Sequence, residues 1–146
     1  MAGVPPDYFS ADGQLWGNPL YDWKRMEETG SDWWMRRMRA AAQLFDTVRI
    51  DHFRGLSSYW EVPVGETTAR NGQWVGGPGL PFVEALKNRF PQLDIIAEDL
   101  GFLTDDVRAL VDASGFPGMK VLQFAFDARE PSNYLPHTYP RHCVPV

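Results

Sequence analysis

Helix-like and strand-like runs alternate along this chain, and that order constrains its fold more than any other feature. Ser31 or Asp32 is expected to cap a helix running to about Phe45, because Trp34, Met38, Ala41 and Phe45 fall on one helical stripe. Val48-Arg49-Ile50-Asp51 then alternates with the period of a two-faced strand. A second helix is expected over 81–90, with Phe82, Leu86 and Phe90 on one face and Pro91 as its stop. Asp94-Ile95-Ile96-Ala97-Glu98-Asp99 reads as the next strand. Thr104, Asp105 and Asp106 make a helix start, with Val107, Leu110 and Val111 turned inward and Gly115 at the end. Lys120 to Phe126 reads as a third strand. Strict alternation predicts parallel strands joined by right-handed crossovers.

The expected fold class is therefore α/β, a partial (β/α)8 TIM barrel of about three strand–helix units with long active-site loops. Eight such units take roughly 250 residues, and the chain has 146. Residues 1–30 read as one long structured loop, punctuated by Gly and Pro but too rich in aromatics for a disordered segment. Residues 55–80 read as a second long connection, carrying Tyr59, Trp60 and Trp74. Residues 131–146, with four prolines, read as an irregular tail. The strand–helix units occupy 31–130. No Gly-x-Gly-x-x-Gly follows a strand, and Gly76-Gly77-Pro78-Gly79 lacks the lysine of a phosphate loop, so nucleotide folds are disfavoured.

Composition removes further classes. The net charge of −5, with no basic run longer than Arg36-Arg37, argues against nucleic acid. No apolar run is long enough to span a membrane. The first residues have neither the charged nor the apolar segment of a secretory signal. The lone Cys143 cannot form an internal disulfide, which fits a reducing compartment. His52, His137, His142 and Cys143 do not fall at a zinc spacing, so no metal is expected. Six tryptophans suit a surface that stacks on the flat faces of sugars, and equally a filled core.

Two strands that each deliver an acid at their C-terminal end suggest a pair of catalytic carboxyls, because both open and closed α/β folds bind ligands at those ends. Glycoside chemistry uses such a pair, one ionised as nucleophile and one as proton donor. Asp51 lies beside Arg49, His52 and Arg54, and any of these cations nearby would hold it charged. Glu98 follows Ile95, Ile96 and Ala97 and precedes Asp99, an apolar wall and a like charge that suit a donor. The alternative reading is an ion-pair network around Asp51 and a solvated helix lead-in at Glu98-Asp99.

The run Val48-Arg49-Ile50-Asp51-His52-Phe53-Arg54-Gly55 closely resembles the nucleophile motif of the 4-α-glucanotransferases (amylomaltases, or disproportionating enzymes). Ile96-Ala97-Glu98-Asp99-Leu100-Gly101 resembles their acid/base motif. Gly3 to Ser10 and Gly13 to Tyr21 are similar to their substrate-binding loop, and Pro117 to Phe126 is similar to a further family motif. The resemblance runs in order over nearly the whole chain. It implies a distorted (β/α)8 barrel, retaining transfer of α-1,4-glucan segments between maltooligosaccharides, and no organic cofactor. It implies Asp51 as nucleophile and Glu98 as acid/base. Arg49 would orient Asp51, and His52 would bind the adjoining sugar. Trp16 would stack on a glucose ring, Asp7 and Gln14 would line the acceptor side, and Phe124 would add an apolar wall, with core packing as its other reading. The family's third acid is expected beyond Val146, which puts the activity of this chain alone in question, and an open barrel edge with unpaired strands and apolar surface is expected to make the chain alone poorly soluble. Hydrolysis of α-glucans, or non-catalytic glucan binding, are the alternatives. The cytosol is the expected compartment, or a plastid in a photosynthetic eukaryote.

Overall fold

The structure is a computed structural model that describes residues 1–8, 10–101, 103–126 and 134–146; Phe9 of the expected sugar loop and Pro131 of the expected tail lie outside these. In chain order the elements are strands β1 (Ala2–Val4) and β2 (Gln14–Leu15), helices α1 (Trp23–Glu28) and α2 (Asp32–Ala42), and strand β3 (Thr47–Ile50). Strands β4 (Ser58–Glu61) and β5 (Gln73–Gly76), helix α3 (Gly79–Arg89), strand β6 (Asp94–Ala97), helix α4 (Asp105–Ser114), and strands β7 (Gly118–Lys120) and β8 (Cys143–Pro145) complete the order.

The alternating part folds much as its periodicity predicts. β3 and β6 pair in parallel, Thr47 opposite Asp94 through Ile50 opposite Ala97. The Ala97 N–H donates to Pro117 O at 2.9 Å and so ties β6 to the start of β7. β7 pairs in parallel with β8. Met35 and Met38 of α2, Phe82, Val83 and Leu86 of α3, and Leu110 of α4 form one buried cluster with Ile50, Ile95 and Ala97 of the strands. Burying a side chain of Leu or Phe size contributes roughly 1.5–3 kcal/mol each, so this cluster holds the helices on the parallel pair.

The helix ends show where local rules were overridden. Ser31 makes no side-chain cap; it lies in the left-handed region at φ 56°, in the short turn through Thr29 and Gly30 that joins α1 to α2. Its N–H donates instead to Met26 O at 2.7 Å. α2 stops at Ala42, and Phe45 projects beyond it at 61 % exposure, so the expected stripe is one turn too long. Thr104 stands at the start of α4 without a side-chain capping bond, while Asp105 and Asp106 occupy the first turn as expected and Gly115 closes the helix at φ 68°.

Two stretches read as loops carry sheet instead, and the first of them, 1–30, also holds the helix α1. β1 pairs antiparallel with β2 and with β4, and β4 with β5, giving the order β2-β1-β4-β5. The two expected loops therefore satisfy each other's backbone groups, as buried amides must. Trp60 faces Trp74 across β4 and β5, with ring centroids 5.3 Å apart. The expected third strand is also corrected. Only Gly118–Lys120 is extended, and Leu122–Phe126 forms a 3-10 turn whose Leu122, Phe124 and Phe126 are all exposed. Their alternation has no face to bury. The tail, in turn, contains the strand β8 rather than irregular chain alone. Among the described residues, no helix is long and apolar enough to cross a membrane.

Candidate active site

Asp51 and Glu98 each follow the last residue of a strand, Ile50 of β3 and Ala97 of β6, and those two residues are register partners. Neighbouring strands lie about 4.8 Å apart. The sequence therefore delivers two carboxyl-bearing residues side by side at the C-terminal ends of a parallel pair.

The junction contains a bulge. Glu98 donates its N–H to Ile50 O at 3.0 Å, and its carbonyl accepts from Phe53 N at 3.0 Å. An unbroken parallel ladder would take the return bond from His52, two residues beyond Ile50. One residue is thus looped out, as in the bulges that re-aim side chains beside active sites. His52 takes up the slack in the left-handed region, φ 50° and ψ 51°. Its released N–H turns to the Glu98 side chain and donates to Oε2 at 2.7 Å. Leu100 N donates to Oε1 at 2.9 Å. The expected apolar wall is therefore not what meets the Glu98 carboxyl. Ile95 and Ala97 are buried in the core, and two backbone amides fix the carboxyl in direction. Asp99 is engaged elsewhere, its Oδ1 accepting from Met119 N at 2.8 Å.

Of the three cations expected around Asp51, Arg49 supplies the ion pair, Nη2 to Oδ1 at 2.7 Å. Residues two apart on an extended strand share a face, which is why Arg49 reaches Asp51. The pair is solvent-exposed, with the Asp51 side chain 73 % accessible. Exposed pairs contribute about 0–1 kcal/mol, so the pair serves to orient Asp51 more than to hold the fold. Arg54 is buried, lies over the Trp74 ring at 4.3 Å and donates to Ser58 Oγ at 3.4 Å.

The His52 ring is desolvated by burial, and that burial, aided by the nearby Arg54 cation and opposed by Asp51, lowers its pKa to about 4. It is neutral near pH 7 and offers one donor and one acceptor. The Trp16 ring packs edge-on against it, centroids 4.8 Å apart. Trp16 Nε1 donates to Gln14 Oε1 at 3.1 Å, so Gln14, Trp16, His52, Asp51, Arg49 and Glu98 form one connected group. Asp7 sits at the turn beyond β1, with Oδ1 accepting from Ser10 N at 2.8 Å. It is tied to the group through the β1–β2 hairpin that it shares with Gln14.

Phe124 lies in the 3-10 turn and is 47 % exposed, which rules out the core-packing reading. Its ring meets Tyr134 edge-on at 5.2 Å. Burial, and then the charges of Asp99 and Glu98, raise the Tyr134 pKa. Nothing in the sequence marked Tyr134. It stands in a proline-rich stretch without periodicity, and its aromatic ring was the only available signal.

The chain is 58 % identical over 140 residues to a 4-alpha-glucanotransferase of Synechocystis, covering 95 % of this chain and 28 % of that protein. It is 50 % identical over 144 residues to the chloroplastic/amyloplastic 4-alpha-glucanotransferase of Solanum tuberosum, covering 99 % of this chain and 25 % of that one. The solved amylomaltase of Streptococcus agalactiae in complex with acarbose superposes with a TM-score of 0.92 at 42 % identity, covering 99 % of this chain and 30 % of that structure. The chain thus spans between a quarter and a third of the length of these relatives. The sequence pattern that defines the 4-alpha-glucanotransferases matches residues 1–146 without a gap at either end, and the chain belongs to that family.

Proposed function

We propose that this chain carries the central part of a 4-α-glucanotransferase active site on a partial (β/α)8 barrel. The reaction is retaining transfer of an α-1,4-glucan segment from one maltooligosaccharide to another. Asp51 attacks the anomeric carbon and forms a glycosyl-enzyme, while Glu98 protonates the departing glycosidic oxygen. Glu98 then takes a proton from the acceptor hydroxyl as that oxygen displaces Asp51. The single observation that supports this reading is the parallel register of β3 and β6, in which Ile50 and Ala97, the residues just before Asp51 and Glu98, are partners. A retaining pair needs its carboxyls about 5–5.5 Å apart, which suits neighbouring strands about 4.8 Å apart.

The other residues follow from their contacts. Arg49 aims the Asp51 carboxylate. Neutral His52 hydrogen-bonds the sugar beside it, and Trp16 offers an exposed ring face for a glucose unit. Gln14 and Asp7 line the acceptor side, and Phe124 forms an apolar wall near Tyr134. The acarbose bound to the Streptococcus agalactiae amylomaltase supports an oligosaccharide ligand. The compartment we assign is the cytosol, or a plastid, as in the name of the Solanum tuberosum relative.

Incubation of the purified chain with maltotriose, with products read by mass, tests this. Longer oligosaccharides are expected, and Glu98→Gln is expected to remove them. Glucose and maltose alone would replace transfer by hydrolysis. Quenching of tryptophan fluorescence by maltotriose without products would leave binding only.

A further inference from the structure

The Asp99 carboxyl is not used by the chemistry above, yet it is built into the structure beside the proton donor. Gly118, the first residue of β7, is buried. A Cβ at Gly118 would lie 2.7 Å from both Cγ and Oδ1 of Asp99, so the carboxyl occupies the space that this glycine leaves open. The same Oδ1 accepts the Met119 N–H at 2.8 Å. Asp99 thus fastens the chain just past Glu98 to β7. On its other side the Glu98 carboxyl is fixed by the amides of His52 and Leu100. Leu100 directly follows Asp99, so a shift of Asp99 moves one of the two donors that aim Glu98.

We propose that Asp99 is a positioning residue for Glu98, acting through a seat formed by Gly118 and the Met119 amide. This rests on the assignment of Glu98 as acid/base. The seat requires an oxygen acceptor at Asp99 and no side chain at Gly118. It does not require the negative charge, because an asparagine oxygen accepts the same bond. That separates a positioning role from a purely electrostatic one.

The test compares Asp99→Asn, Asp99→Ala and Gly118→Ala in the 146-residue chain, with circular dichroism to establish folding. Amide NMR reads the lock without reference to activity. The His52, Leu100 and Met119 amide shifts are expected to stay near wild type in Asp99→Asn and to move together in the other two variants. Where the wild-type chain turns over maltotriose, Asp99→Ala is expected to lower kcat by about 100-fold, the scale of a misplacement of about 1 Å, with KM nearly unchanged. Asp99→Asn is expected to retain most of the rate. Folded Asp99→Ala with unmoved His52 and Leu100 amides overturns the proposal, as does loss of rate in Asp99→Asn equal to that in Asp99→Ala. A wild-type chain without turnover would count against the transferase reading, and the amide shifts would still decide the role of Asp99. Should Asp99→Ala not fold, Gly118→Ala and Asp99→Asn give the same contrast.

Discussion

At the scale of single residues, His52 departs from the usual backbone preference of its residue type. A histidine at positive φ is uncommon, and here it releases an N–H that aims Glu98. The strain belongs to the bulge, where stored backbone strain is commonly found at functional sites. Its half-buried ring also gives a pH signature. The native pKa is about 4 against 6.5 for the free side chain. Between these values the unfolded chain binds a proton that the native chain does not, so acid favours unfolding. The contribution of a neutral His52 is fully present above pH 6.5 and is lost as pH falls toward 4. Its size is on the order of 2–3 kcal/mol. Urea unfolding at pH 7 and pH 4.5 is expected to show a larger loss for the wild type than for His52→Asn, which keeps a residue tolerant of the left-handed region. Equal losses would mean that the ring is solvated.

At the scale of elements, α2, α3, α4 and the two acid-bearing strands were legible from helical stripes, the alternation of 48–51 and the apolar run 95–97, whereas α1 fell inside a stretch read as loop. Phe82 and Leu86 recur at helical spacing and are buried as read. Val48 and Ile50 alternate and lie in β3. The antiparallel sheet was not legible, because β1 and β2 are too short to show alternation. Their pairing depends on a partner far along the chain, as with Gly3 opposite Trp60. The run 120–126 misled for the opposite reason, since it alternates but meets no core. One glycine packs the end of the β4–β5 ladder against the 3-10 turn Phe53–Leu56. Gly77 donates its N–H to Ser57 O at 2.8 Å, and a Cβ there would lie 2.6 Å from the carbonyl oxygen of Gly55. That obstacle is backbone and cannot rotate away. Gly77→Ala is expected to destabilise the chain by about 1–3 kcal/mol, seen as a lower urea midpoint with an unchanged slope. Because Gly55 abuts the His52 ring, with its own Cβ position 3.0 Å from Cδ2, the His52 NMR signals are expected to shift as well. An unchanged midpoint would show that the turn yields freely.

For the molecule as a whole, the candidate site was more legible than the fold that carries it. The acids, Arg49, His52 and Trp16 declared themselves through residue type and resemblance, whereas Tyr134 and the Asp99 seat depend on contacts between distant segments. The same long-range view bears on solution behaviour. Among the described residues β3 pairs only with β6, leaving its other edge open. Leu44 and Phe45, just before that edge, are 75 % and 61 % exposed. An open edge beside apolar side chains is a template for association. The net charge of −5 opposes close approach, but salt screens that repulsion at distances beyond about 8–10 Å. Sedimentation velocity is therefore expected to show association that grows with protein concentration and with added salt. The double variant Leu44→Lys and Phe45→Lys is expected to suppress it with an unchanged circular dichroism spectrum, because neither residue lies in α2, β3 or the buried cluster. A wild-type chain that stays monomeric across both ranges would show that this edge does not recruit a second copy. Association that survives the lysines would move the contact to another surface, such as the exposed Phe126.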